Sequence, residues 1–174
     1  SQIKNELQAV KGKNLFFLKS IDIEKLLVKF NFISSFTVKK IYPNSIKIAI
    51  IEKKPLALLQ KGKKKYFLLE NGETINFFET QNYKDLPLII GNAKNFDRLY
   101  FSLKKINFPI SEIEKFFYFE IGRWDIILNN DRIIKLPQEN EETSLSNFLK
   151  VYKNKSFDKY KIFDYRIKNQ LILN

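Results

Sequence analysis

The chain has 174 residues, 44% of them hydrophobic and 15% aromatic, with 31 lysines and arginines against 19 acidic residues for a net charge of +12. That content argues for packed cores and against disorder, the length holds one domain or two small ones, and no apolar run approaches the roughly 18–20 residues that span a bilayer. Cysteine and histidine are both absent, which excludes disulfides, thiolate catalysis, and the commonest general base and transition-metal ligand.

Residues 2–11 carry Ile3, Leu7 and Val10 at helical spacing, with Gly12 as a C-terminal cap. Asn14 to Leu18 is a short apolar link. Ser20 or Asp22 caps a second helix whose stripe is Ile23, Leu26, Leu27 and Phe30. From about Phe36 to Ile51 the pattern is a β-hairpin turning at Tyr42-Pro43-Asn44-Ser45. Proline presets φ for the first central turn position and asparagine tolerates the next. Beyond the turn Ile46, Ile48 and Ile50 share one face, with Lys47 and Ala49 on the other, the period of a half-buried strand. Two helices and a hairpin need a larger sheet to pack on, so a preceding strand is expected that this sequence begins too late to include.

After Pro55 the pattern turns to strands with helical insertions. Lys61-Gly62-Lys63-Lys64-Lys65 is a polar loop, and Tyr66–Leu69, Asn71-Gly72 and Thr74–Phe78 read as a hairpin about a two-residue turn. Leu86 to Gly91 is a short apolar strand. Phe96, Leu99, Tyr100, Leu103 and Ile106 predict an amphipathic helix that Pro109 stops. A meander follows in three strands: Phe116–Ile121, Trp124–Leu128 and Arg132–Leu136. Thr143 or Ser144 then caps a helix with Leu145, Phe148, Leu149 and Tyr152 on one face, and a final strand runs roughly from Ile162 to Leu173.

The charge excess is mostly lysine, with arginine only at positions 98, 123, 132 and 166. Arginine is the better residue for bidentate phosphate and base contacts, and the lysines are dispersed except at Lys61–Lys65. A solvated surface is therefore the preferred reading, with a basic nucleic-acid-binding protein as the alternative. No methionine occurs, so the expectation is a processed or cut chain that has lost an upstream targeting or membrane segment.

Gly12-Lys13-Asn14-Leu15-Phe16 with Leu18, Tyr42-Pro43-Asn44-Ser45 and Arg123-Trp124-Asp125-Ile126, in this order, together resemble the FtsQ/DivIB family of bacterial cell-division proteins, the first of them the link between the helices of a POTRA domain. Tyr42-Pro43-Asn44-Ser45-Ile46-Lys47-Ile48 and Glu52-Lys53-Lys54-Pro55-Leu56-Ala57 are similar to that domain's closing hairpin and exit. Leu86-Pro87 with Gly91, Arg123-Trp124-Asp125-Ile126, Ile134-Lys135-Leu136-Pro137, Leu145 with Phe148-Leu149, and Asp164-Tyr165-Arg166 follow in the order of the family's β domain. The Arg-Trp and Leu-Pro motifs bring the chain closer to the Gram-negative FtsQ form. The resemblance implies an α+β fold. A POTRA domain over residues 1–58 (helix-helix-strand-strand, first strand missing) precedes a mostly antiparallel β domain with helices over 59–174.

It also implies a non-enzymatic divisome scaffold that needs no cofactor. That scaffold binds the division proteins FtsB and FtsL and through them reaches septal peptidoglycan synthesis. The full-length protein would be anchored in the inner membrane by one helix, with this part on the periplasmic side at the septum and no nucleic-acid partner. A POTRA-containing outer-membrane assembly factor is the rival within the same domain type. Partner binding would be strand addition to the C-terminal strand, at Asp164, Tyr165, Arg166, Ile167, Lys168 and Asn169. The exposed positions Ser146, Asn147 and Lys150 of the neighbouring helix would assist.

The residues themselves offer little chemistry. Glu112 and Glu114 do not face each other on a helix, and Glu139, Glu141 and Glu142 precede a helix, where acidic residues favour the dipole. No phosphate loop, nucleophile elbow or metal spacing occurs. Trp124, in phase with Ile126 and Leu128, reads as core.

Overall fold

A computed structural model describes residues 2–8, 11–12 and 17–174. The chain divides between Lys54 and Pro55 into two compact units, close to the change of pattern at Pro55 and four residues before the boundary that the resemblance implies. The difference lies in Pro55, Ala57 and Leu59, whose buried side chains belong to a strand paired wholly within the second unit.

The first unit runs α1 (Gln2–Leu7), α2 (Ser20–Leu27), β1 (Ile33–Ile41) and β2 (Ser45–Glu52). Its core is small. Ile23 and Leu27, one turn apart on α2, are fully buried beside Leu18, and Ile3, Leu7, Phe36, Val38, Ile46, Ile48 and Ile50 pack against them. The period-2 pattern of the hairpin is thus realised, with its isoleucines turned toward α2. Ile41 stands opposite Ser45, so the turn is the three residues Tyr42, Pro43 and Asn44, with a cis peptide before the proline. Val10 of the first stripe and Lys13 to Phe16 of the link lie outside the described residues.

In the second unit the strands are β3 (Pro55–Lys61), β4 (Lys64–Leu69), β5 (Thr74–Asn76), β6 (Leu88–Ile90), β7 (Ile113–Phe119), β8 (Arg123–Leu128), β9 (Ile133–Lys135), β10 (Ile162–Asp164) and β11 (Ile172–Leu173). They form one sheet in the order β11-β10-β9-β8-β7-β6-β3-β4-β5. Five of its pairings are antiparallel, and β3–β6, β6–β7 and β9–β10 are parallel. A parallel pair needs a crossover rather than a hairpin. Two of these crossovers are helices, α3 (Phe96–Lys105) from β6 to β7 and α4 (Glu141–Tyr152) from β9 to β10. They pack on each other over one face of the sheet.

Phe116, Ile126, Ile134 and Phe163 stand opposite one another across β7 to β10, all fully buried beneath those helices. Edge-to-face ring contacts join the layers, Phe96 to Phe116 and Phe148 to Phe163, each at 5.0 Å. Trp124 is core, beside Phe96 and Tyr118. Gly91 is required where β6 ends: its φ is +98°, and a Cβ there would stand 2.8 Å from the Tyr118 carbonyl oxygen.

Three sequence expectations are corrected. The β4–β5 loop spans Glu70 to Glu73 rather than Asn71-Gly72 alone, with Asn71 Oδ1 accepting from the Glu73 N–H. Helix α4 begins at Glu141, ahead of Thr143 and Ser144. Arg98 and Lys105 of α3 draw Glu141 and Glu142 into its first turn, at 2.7 and 2.8 Å. The last strand is two strands, β10 and β11, separated by a turn.

Candidate partner-binding edge

The turn between β10 and β11 is built by one side chain. Asp164 closes β10 and is buried, and its carboxylate accepts from the Arg166 backbone N–H at 3.0 Å and from the Arg166 guanidinium at 2.5–2.9 Å. An aspartate that bonds the backbone two residues on competes with the strand ladder and ends it. Those bonds hold the Asp164 carboxyl below the ordinary carboxylate range, against the opposing effect of burial. The alternation that one continuous strand from Ile162 to Leu173 would carry therefore breaks: Phe163, Asp164 and Tyr165 are all buried, and Ile167 is half exposed.

Tyr165 continues the pairing inward. Its N–H donates to the Lys135 carbonyl at 2.9 Å, and its hydroxyl donates to Asn147 Oδ1 on α4 at 3.0 Å. Burial pushes the phenol well above its usual range. Lys168 and Asn169 are exposed, Asn169 at a φ of +60°, and the Gln170 N–H donates to the Ile167 carbonyl to close the turn.

The chain then returns as β11, antiparallel to β10 and outermost in the sheet. Ile162 and Asn174 exchange both hydrogen bonds, at 2.8 and 3.1 Å. In an antiparallel ladder the alternate residues face the other way, so the peptide groups of Leu173, and of Leu171 before it, turn outward. The open backbone edge of the sheet is therefore that of β11 and not that of residues 164–169, because β11 covers β10.

A groove of about 660 Å³ lies on the helix side of the turn that precedes β11, reaching as far as Leu171. Its walls are the β9–α4 loop at Gln138 to Asn140, the start of α4 at Thr143 and Ser144, and the turn from Tyr165 to Leu171. Of the expected contact residues the structure brings together Tyr165, Arg166, Ile167, Lys168, Asn169 and Asn147 around the groove. Asp164 lies beneath as the turn's anchor, while Ser146 and Lys150, also on α4, are not part of the groove wall. The β9–α4 loop and Thr143 were missed by sequence reasoning, since only the fold brings that loop beside the last turn.

On the helix-free face, Asp125, Lys135 and Asp164 stand in register across β8, β9 and β10. Burial pushes the Asp125 carboxyl up, against the pull of Arg123, Lys135 and Arg166. Arg123 Nε lies 3.6 Å from Asp125 Oδ1, and its guanidinium covers the Phe119 ring at 4.3 Å. Of the carboxylate pair in the sequence, Glu112 accepts the Tyr152 hydroxyl at 2.8 Å and Glu114 pairs with Lys115. Among the described residues there is no group of acidic side chains that could hold a metal ion, and no helix long and apolar enough to cross a membrane.

Comparison with known proteins gives the arrangement a family context. A family model described as "Cell division protein FtsQ/DivIB, C-terminal" matches residues 57–166, and "POTRA domain, FtsQ-type" matches residues 1–53. The chain is 29% identical over 168 residues to the protein named Cell division protein FtsQ of Rickettsia prowazekii (strain Madrid E), covering 94% of this chain and 62% of that protein. It is 25% identical over 134 residues to the protein of the same name from Rhizobium meliloti (strain 1021), covering 74% of this chain and 43% of the relative. For Bradyrhizobium diazoefficiens (strain JCM 10833 / BCRC 13528 / IAM 13628 / NBRC 14792 / USDA 110) the identity is 25% over 150 residues, covering 82% and 44%. The chain thus spans about six-tenths of the rickettsial protein's length, and less of the others.

Proposed function

The chain belongs to the FtsQ/DivIB family of non-enzymatic bacterial cell-division proteins, and from that premise we propose that it is a periplasmic scaffold that captures a strand of FtsB on the outer edge of β11. The observation that carries this reading is the unpaired β11 edge with the groove beside it. A partner strand laid on β11 finds the outward peptide groups of Leu171 and Leu173 for its main chain. Side chains of the added strand alternate in direction. Those paired opposite Leu171 and Leu173 share the helix side with Phe163 and enter the groove between α4 and the Tyr165–Leu171 turn. Residues 164–169 then act through their side chains and the turn's shape, with Asn147 beside them, and Ser146 and Lys150 extend the contact along α4. FtsL joins through FtsB, and both connect the scaffold to septal wall synthesis.

The proposed organisation is a POTRA domain followed by the β domain. The change of unit at Lys54/Pro55 and the gap between the two family matches support a junction a few residues before the one drawn after residue 58.

The test is titration of this chain with a peptide from the periplasmic part of FtsB. Leu173→Pro removes an outward donor, and affinity should fall at least about tenfold while circular dichroism stays that of the parent. Unchanged affinity in a folded variant would reject β11 as the docking edge. Tyr165→Pro is the poorer probe, because the Tyr165 N–H is already bonded inward to Lys135.

A further inference from the structure

The charge of the chain is unevenly divided. Residues 1–54 hold 11 lysines against four acidic residues, while residues 55–174 hold 20 basic residues against 15 acidic ones. Within the first unit the uneven charge meets an uneven apolar surface. Helix α2 buries Ile23 and Leu27 completely. At 3.6 residues per turn, Ile21, Lys25 and Val28 fall on the side opposite that pair. Ile21 is 47% and Val28 71% exposed, Lys25 and the following Lys29 are exposed, and Phe17, just before the helix, is 84% exposed. Asp22, exposed and as far round the helix from Lys25 as Val28 is, borders this face beside Lys29 and is outnumbered there by the two lysines, while Glu24 lies off it beyond Val28. Large aliphatic side chains interleaved with lysines on one helix face, over a unit of strong positive charge, are the chemistry that meets an anionic lipid surface. Apolar groups enter the headgroup boundary, and ammonium groups meet the phosphates.

We propose that the outer face of α2, formed by Ile21, Lys25, Val28 and Lys29 with Phe17 at its end, is a docking site for an anionic bilayer surface. The contact is peripheral and adds to any anchor elsewhere in the protein. It is independent of the β11 edge, which lies in the other unit. The Lys61–Lys65 hairpin tip carries four lysines against the two of this face but no exposed aliphatic side chain, so it serves as the control for charge alone.

The test floats the 174-residue chain with vesicles of phosphatidylcholine, with and without phosphatidylglycerol. Binding is expected only to the anionic vesicles. Lys25→Ala with Lys29→Ala should weaken it about 25-fold, from roughly fivefold per lysine. Val28→Ser should weaken it about tenfold, and Lys63→Ala with Lys64→Ala should leave most of it. These side chains are exposed, so circular dichroism should not change. If Val28→Ser fails to fold, the lysine pair still decides. Absence of binding to anionic vesicles, binding indifferent to the α2 variants, or an equal loss in the Lys63/Lys64 control would each overturn the proposal. So would light scattering that shows self-association abolished by Val28→Ser without vesicle binding, since a second copy would then be the occupant.

Discussion

The nine-stranded sheet ends in two edges that are finished in different ways. At the β5 edge the chain leaves after Asn76 and folds Phe77 and Phe78 back against Phe67, with Tyr83 completing the ring cluster at 5.1–5.6 Å. Only Phe67 of that cluster is fully covered, and Phe77 and Phe78 stay partly exposed where they lean on it. At the β11 edge the chain makes a polar turn through Asp164 and Arg166, returns as two residues of strand, and leaves a groove beside it. A free strand edge is a hazard that proteins blunt by shortness, charge or cover. Here one edge is backed by aromatic packing, and the other is short, flanked by Lys168 and bordered by a groove.

The largest effects come from the side chains that anchor the two ends. Phe67 and Phe163 are both nearly or wholly inaccessible, and truncation to alanine should cost about 3–5 kcal/mol at either. Their consequences should differ. Phe67→Ala unseats Phe77 and Phe78 and should promote aggregation on refolding, whereas Phe163→Ala loosens β10 and should remove partner binding. Urea unfolding with light scattering reads both. Equal aggregation of the two variants would erase the distinction between a packed edge and a prepared one.

Next come proline substitutions at equivalent edge positions. The Leu69–Glu73 bond and the ladder alternation turn the N–H of Asn76 outward on β5, as Leu173 is turned outward on β11. Asn76→Pro should leave affinity for the FtsB peptide within about twofold while Leu173→Pro loses at least about tenfold. Loss in both variants, with folds intact, would show that neither edge is special.

Much of this contrast was legible in the sequence, and the illegible part has a common cause. Phe96, Leu99 and Leu103 announce α3 because a stripe at helical spacing needs only its own segment, and Trp124, Ile126 and Leu128 announce a strand for the same reason. The turn at Asp164 was missed because side-chain capture of a backbone N–H leaves no periodicity, and Phe163 to Lys168 still alternates as a strand would. The start of α4 is set by Arg98 and Lys105, more than 30 residues upstream. Tyr152 meets Glu112 and Asn130 across 40 and 22 residues. Contacts of that range, like the groove wall at Asn140 and Thr143, exist only once the crossovers are in place.

A smaller effect concerns the tether and turn that shape the β11 end. Tyr165→Phe removes the bond to Asn147 and should cost about 0.5–1.5 kcal/mol, with partner affinity falling in step. The acid dependence of stability tests the turn itself. Asp164 titrates below the ordinary 3.8, so its pairing is fully present above that pH and is lost as pH falls through the lowered folded value. Asp125 is shifted upward by burial, so its contribution has the opposite sign: stability is regained as pH falls through the raised value. Asp164→Asn should flatten the acid limb of the stability profile, and Asp125→Asn should steepen it. An acid limb untouched in Asp164→Asn would mean the Arg166 pairing contributes nothing to the fold.

The smallest effect separates protection from recognition at the β11 edge. Lys168 is exposed on the turn and borders the groove. If it serves only to repel stray strands, Lys168→Glu keeps a charge in place and leaves the FtsB peptide affinity unchanged. If the partner's side chains enter the groove, reversing that charge changes the field they meet, and affinity should shift by about two- to fivefold. Stability should stay within about 0.5 kcal/mol, because an exposed charge on a turn contributes little to folding. Titration in low and moderate salt completes the measurement: a shift that arises at the groove is screened as ionic strength rises, and one that persists undiminished reports a change in the turn's shape instead.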